Sequence, residues 1–252
     1  MTGMNTAPPV LPPHPLMPER YRDNAEKHEW LRRIFDDTAG DYDRVESWLS
    51  FGTGSRNRRE ALERAGLAPG MSVADVACGT GLVAREAVKL IGVQGTLVGI
   101  DPSEGMLAQA KAKLGIQTLV GVAEALPFDP GRFDFVSMGY AMRHVEDLAA
   151  AFGEFFRVLK PGGRVCILEI SRPSGRLTRA LLRIYMGILS GILCRWKPVS
   201  ARTPELWKYY WETIDQCVPP DRVVAALKTA GFAEVEHRAQ FGMLSEYTAR
   251  KV

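Results

Sequence analysis

Asp75 stands four residues before Gly79 in the run Asp75-Val76-Ala77-Cys78-Gly79-Thr80-Gly81, and that spacing restricts what the run can bind. Gly79-Thr80-Gly81-Leu82-Val83-Ala84 fits a Gly-x-Gly-x-x-Gly/Ala pattern between an apolar strand-like run and a helical one. Glycines there allow a tight turn and let the backbone approach a ligand closely. The pattern by itself suits a dinucleotide equally well. Asp101, 20 residues past Gly81, would offer a carboxylate to the two hydroxyls of a ribose, which nucleotide enzymes also require. Asp75 separates the alternatives. A dianionic pyrophosphate would be repelled by a carboxylate so near the loop, whereas a sulfonium cofactor with an ammonium group would be attracted. The loop therefore prefers a cation.

The remaining reactive side chains form no such constellation. Cys78, Cys166, Cys194 and Cys217 lie far apart without a Cys-x-x-Cys pair, which fits a reducing cytosol better than a disulfide framework. Cys78 has no neighbouring base in sequence and reads as structural. His14, His28, His144 and His237 lack metal-ligand spacing, so no metal site is expected. The net charge of +3 is uneven: Ser171 to Lys208 carries eight Lys/Arg and one acid, and the rest of the chain is net −4. Such a concentration suggests contact with something anionic. It is interleaved with aliphatic residues and accompanies no nucleic-acid motif, so nucleic acid is not an expected partner.

Elements must position these groups. The start lacks a basic stretch followed by an apolar run, and its first 18 residues hold six prolines, so 1–20 reads as a disordered tail. Residues 21–65 read as a helical cap, with an amphipathic helix near 22–35. From about residue 71, strand-like runs Ser72–Ala77, Thr96–Asp101, Gln117–Val122, Phe133–Met138 and Gly163–Ile170 alternate with helical stretches near 80–90, 103–114 and 146–158. That alternation argues for βαβ units and a parallel sheet. A helix near 220–230 ends at Ala230-Gly231, and two runs around Phe241-Gly242 predict a closing hairpin. Within an insertion over 171–215, one helix over 176–196 is expected. Its uncharged stretch Ile184–Cys194 has 11 residues, against the about 20 needed to span a bilayer.

With these residues in view, the chain resembles class I S-adenosylmethionine-dependent methyltransferases, and more closely the ubiquinone/menaquinone biosynthesis C-methyltransferase family. The resemblance runs from about Ile34 to the C-terminus. It rests on Tyr42-Asp43, Leu49-Ser50-Phe51-Gly52, the glycine loop, Ala123-Glu124-Ala125-Leu126-Pro127-Phe128, Phe133-Asp134, Arg143 and Leu159-Lys160-Pro161-Gly162-Gly163. It implies an α/β, Rossmann-like single domain with a seven-stranded, mostly parallel sheet, a C-terminal antiparallel hairpin and helices on both faces. It also implies S-adenosylmethionine as cofactor, held by Asp75, Ala77, Gly79, Thr80, Gly81, Asp101, Pro102, Met106, Val122, Ala123 and Gly139. Val122 replaces the usual Asn of the adenine pair, and Gly139 a frequent Ser. On the acceptor side Glu46, Asn57 and His144 depart from the Asn, Trp and Asn that the family commonly carries.

The implied reaction is carbon methylation of a phenolic or quinol-like, apolar aromatic molecule. The alternatives are N- or O-methylation of a lipid head group or secondary metabolite, and, more remotely, an NAD(P) oxidoreductase, although no Tyr-x-x-x-Lys motif is present. Ionising the acceptor hydroxyl would make its ortho carbon nucleophilic, so His144 is the candidate base. Arg143 is the candidate stabiliser of a phenolate, not itself a base. His144 could instead cap the helix after Val145-Glu146-Asp147. Tyr42 would either close over cofactor or substrate, or serve as a core tyrosine. The insertion is the expected acceptor cover. Peripheral membrane contact through 171–208 and a homodimer stay open, and the chain is expected to be cytoplasmic.

Overall fold

The computed structural model describes residues 10–50, 52–173, 175–195 and 200–252. Three helices come first: α1 (Asn24–Thr38), α2 (Tyr42–Leu49) and α3 (Gly54–Arg64). The order continues β1 (Ser72–Val76), α4 (Leu82–Ile91), β2 (Thr96–Asp101), α5 (Glu104–Leu114), β3 (Gln117–Val120) and β4 (Phe133–Gly139). A single 3-10 turn over Met142–His144 leads to α6 (Leu148–Val158) and β5 (Leu159–Ile170). The chain then runs through α7 (Arg176–Arg195), α8 (Thr203–Gln216), α9 (Pro220–Thr229), β6 (Ala233–Gln240) and β7 (Leu244–Arg250).

The sheet order is β3-β2-β1-β4-β5-β7-β6, parallel except for β7, which runs antiparallel to both β5 and β6. Phe241 and Gly242 take positive φ at the hairpin turn. Strand residues alternate between two apolar layers. Val73, Phe135 and Cys166 pack towards α3 and α4, while Ala74, Val136 and Val165 pack towards α6 and α9. Both faces of the sheet are therefore buried, as a mostly parallel sheet requires. The chain order reverses between β1 and β4, and the crevice at their C-terminal ends is where such a sheet binds ligands.

A third apolar cluster lies over that crevice. It joins Leu31 and Ile34 of α1, Leu182 and Met186 of α7, and Leu206, Trp207, Tyr209 and Tyr210 of α8. The insertion thus holds two helices where one was expected, and Trp196 lies outside the described residues. The tail expectation is corrected over residues 10–20. Met17 and His14 are buried there, Leu11 N–H donates to Asp147 Oδ1 at 2.8 Å, and Val218 N–H donates to Pro13 C=O at 2.8 Å. Proline-fixed extended backbone keeps its carbonyls free, and these serve as acceptors for neighbouring N–H groups. Residues 1–9 lie outside the described part.

Candidate active site

A cavity of about 400 Å³ opens at the β1–β4 crevice, roofed by α1 and α2. Of the sequence candidates, Tyr42, Asp75, Ala77, Gly79, Thr80, Asp101, Pro102, Met106, Val122, Ala123, Gly139 and His144 all line it. Gly81 and Arg143 do not.

Sheet register explains the acidic end. Asp75 on β1 pairs with Ser137 on β4, so the Ser137 hydroxyl donates to Asp75 Oδ1 at 2.7 Å. The other oxygen, Oδ2, has no protein partner although the residue is fully buried. Burial pushes the Asp75 carboxyl up to about 7, and the Ser137 hydroxyl, the Ala84 N–H and the Arg58 charge only partly oppose it. Asp101 accepts from the amides of Gly79 at 2.8 Å and Ser103 at 2.9 Å. Burial raises its carboxyl to about 6. A buried carboxylate with an unfilled acceptor is suited to a cationic donor.

The loop between them is shaped for contact. Ala77 at the end of β1 (φ 54) and Tyr140 after β4 (φ 60) both sit in the left-handed region, a cost of order 1–3 kcal/mol each that clusters at ligand sites. Gly81, also left-handed, caps α4 and faces Leu114; a Cβ there would come within 2.7 Å of Leu114 Cδ1. The missing side chain lets α4 pack closely on α5. At Gly139 a Cβ would meet Val83 Cγ2 at 2.3 Å, so a serine cannot stand there while Val83 keeps its place.

Arg58 was not among the sequence candidates. Its side chain is buried against the cavity, donates to Glu46 Oε1 at 2.8 Å, and lies 5.1 Å over the Tyr140 ring. Its Nε and Nη1 have no protein partner. Gly54 makes room for the pair, since a Cβ there would fall 2.5 Å from Arg58 Nη1. One signal was available: Arg58 shares a helical stripe with Ala61, Leu62 and Ala65, so it points inward from an otherwise basic run. By contrast Asn57 bonds Thr53 and does not line the cavity.

The cavity wall also carries aromatic rings. Phe35, Tyr42, Tyr140 and His144 line it. The His144 ring packs edge-on to Phe35 at 5.4 Å and stacks on Tyr209 at 5.4 Å. His144 Nδ1 lies 3.0 Å from Tyr209 Oη. Burial and the Arg143 charge hold its imidazole well below 6.5, so it is neutral at pH 7. Asp147, not His144, caps α6, accepting from Ala149 N–H. Tyr42 is tied to Tyr210 through their hydroxyls at 3.5 Å. Arg143 lies behind this wall, with an ion pair to Glu169 and its guanidinium 4.9 Å from the Tyr210 ring centroid. Glu169 and the Tyr140 carbonyl both accept from its Nη1, while its buried Nε has no protein partner. Above the loop, Thr80 donates to Asp43 Oδ1 while Lys113 Nζ reaches Asp43 Oδ2 at 2.8 Å, which links α2 to the glycine turn.

Among the described residues no His, Cys, Asp and Glu cluster could hold a metal ion. Cys78 lines the cavity as a neutral thiol, its pKa raised well above normal by burial.

Residues 23–251 match the sequence profile of the ubiE/COQ5 methyltransferase family. A ubiquinone/menaquinone biosynthesis C-methyltransferase UbiE of Geobacter sulfurreducens is 33% identical over 238 residues, covering 90% of each chain. A demethylmenaquinone methyltransferase of Lactococcus lactis is 32% identical over 220 residues, covering 85% of this chain and 86% of that one. Among solved structures, a SAM-dependent methyltransferase of Thermotoga maritima, described as a possible histamine N-methyltransferase, superposes with a TM-score of 0.62 at 20% identity. It covers 88% of this chain and 100% of that one, and the likeness is one of fold.

Proposed function

From the premise that this chain belongs to the ubiE/COQ5 methyltransferase family, we propose that it methylates a ring carbon of a phenolic or quinol-like small molecule. It is an S-adenosylmethionine-dependent methyltransferase. The observation that supports the acceptor class is that one cavity brings the carboxylates of Asp75 and Asp101 together with the rings of Phe35, Tyr42, Tyr140 and His144.

The residues present fit the cofactor. S-adenosylmethionine supplies an activated methyl group and carries an ammonium, a carboxylate and a ribose. Asp75 Oδ2 is the unfilled acceptor for the ammonium, and Arg58 Nε and Nη1 are unfilled donors for the carboxylate. Asp101 takes the ribose, with Val122, Ala123 and Met106 lining the same cavity on the adenine side. Thr80 and the backbone of Ala77 and Gly79 close the turn against it.

At the acceptor end the enzyme's work is to orient a flat ring and remove one hydroxyl proton. The aromatic wall orients the ring through edge and face contacts. His144 Nε2 has no protein partner among the described residues, and the neutral imidazole accepts the proton there. Tyr209 fixes the ring plane through Nδ1. The electron-rich ring carbon beside the resulting phenolate would be the nucleophile for the activated methyl group; the hydrogen on that carbon must then leave to restore the aromatic ring, so one proton in all is released per turnover. A hydroquinone and its dimethyl ether discriminate this reading. The hydroquinone should be methylated and the ether left untouched, because the ether has no hydroxyl to ionise; equal turnover of the two would refute it.

A further inference from the structure

Helix α7 carries two apolar faces. Leu182 and Met186 turn inward to the cluster over the cavity. Leu177, Leu181, Ile184 and Ile188 follow at i, i+4, i+7 and i+11, so they share the opposite face, and they are 73%, 56%, 57% and 59% exposed. Phe241, at the tip of the β6–β7 hairpin, is 82% exposed. It belongs to the same end of the molecule. Ser171, which begins the insertion, donates its N–H to the Met243 carbonyl at 2.7 Å, and Met243, like Tyr185 of α7, packs against the cluster over the cavity.

Arginines flank this stripe. Arg176 and Arg183 stand on one side of it and Arg172 precedes the helix; all three are exposed and have no ion pair among the described residues. Arg179 is different, being held by Asp215 at 2.6 Å. No acidic residue occurs in α7. Burying the stripe against a second copy would bring like-charged arginine rows together without an acid from the same helix to offset them. An anionic lipid surface has the complementary charge, and an apolar face with arginines beside it is the arrangement of a helix lying in a bilayer interface. Among the described residues no helix is long and apolar enough to cross a membrane.

We propose that the outer face of α7, with Phe241, docks the protein on an anionic lipid bilayer, with α7 lying in the interfacial plane. This surface is separate from the cavity and does not depend on which acceptor the enzyme uses.

The test is flotation of the full chain with vesicles of phosphatidylcholine alone and of phosphatidylcholine with phosphatidylglycerol in equal parts. The chain should float with the mixed vesicles and release at high salt. Leu181→Glu with Ile184→Glu, and separately Arg176→Glu with Arg183→Glu, should each weaken binding about tenfold or more. Val93→Glu, another exposed apolar position, should leave it unchanged. S-adenosylhomocysteine affinity and the circular dichroism spectrum should be the same for all variants, which separates lost docking from lost folding. Absence of flotation with mixed vesicles, or equal flotation of every variant, would overturn the proposal. So would a dimer in lipid-free sedimentation that the α7 substitutions dissociate, because the stripe would then belong to a second copy.

Discussion

Asp75 and Arg58 face the same cavity with polar atoms that no other side chain satisfies, Oδ2 on the acid and Nε and Nη1 on the base. They are close enough for the Arg58 charge to lower the Asp75 pKa, yet each keeps donors or acceptors in reserve. Buried groups left in this state cost about 1–3 kcal/mol apiece, a cost offset when a zwitterionic amino-acid group binds between them.

Arg58→Leu should therefore weaken S-adenosylmethionine binding by about ten- to a hundredfold, the size expected for a lost charge-assisted pair. Calorimetry with decarboxylated S-adenosylmethionine provides the control, since that ligand lacks the group Arg58 would hold. An equal loss for both ligands would mean that Arg58 only supports the fold through Glu46.

Asp75 makes both stability and binding depend on pH. Its folded pKa is raised from 3.8 to about 7, so its contribution to stability is fully present below the unfolded value and is lost as pH rises towards 7. Asp75→Asn should remove that loss. Denaturant unfolding should then show the variant more stable than the parent at pH 8 by roughly 2–4 kcal/mol, and little different at pH 4. Cofactor affinity of the parent should fall as pH drops through 7, with proton release visible in buffers of different ionisation enthalpy. A flat affinity profile would contradict the pairing of Asp75 with an ammonium.

The neutral state of His144 predicts an unusual rate profile. Because its folded pKa lies well below 6.5, no acid limb from this residue should appear near 6.5. His144→Ala should lower kcat by about 10²–10⁴ while leaving cofactor affinity unchanged, and Tyr209→Phe should have a smaller effect of the same kind. An unchanged kcat in His144→Ala would remove it as the base.

Arg143 and Glu169 are both buried and answer to each other, so either one alone is expensive to keep. Arg143→Leu should destabilise the fold by about 3–5 kcal/mol, and the double change with Glu169→Leu should recover much of it. Loss of kcat in Arg143→Leu at full stability would return Arg143 to the reacting centre.

The glycine loop, the ribose acid and the strand–helix alternation were legible because each depends on local spacing. Asp75, Gly79 and Asp101 lie at fixed distances along β1, its turn and β2, and the sheet register carries them to one place. What escaped depends on contacts distant in sequence. Arg58 reaches the cavity from α3, and its role needs Glu46 and Gly54 to clear and charge the space. Tyr209 meets His144 across 65 residues, from α8, a second insertion helix beyond the expected 176–196 stretch. Arg143 was readable as important but not as buried, because its partner Glu169 lies on β5, 26 residues away. The packing of residues 10–20 was hidden by prolines; Leu11 bonds Asp147 and Leu148 at the start of α6, and the Pro13 carbonyl accepts from Val218, two residues after α8.

Transfer of the methyl group of S-adenosylmethionine to a ring carbon of a phenolic acceptor leaves a carbon–carbon bond in the product that O- or N-methylation does not. The most direct measurement supplies the enzyme with S-adenosylmethionine carrying a ¹³C-labelled methyl group and a hydroquinone, then locates the label in the product by NMR. A labelled methyl bonded to an aromatic carbon is the expected result. A labelled methoxy group, or no labelled product, would rule out carbon methylation of a phenol by this enzyme.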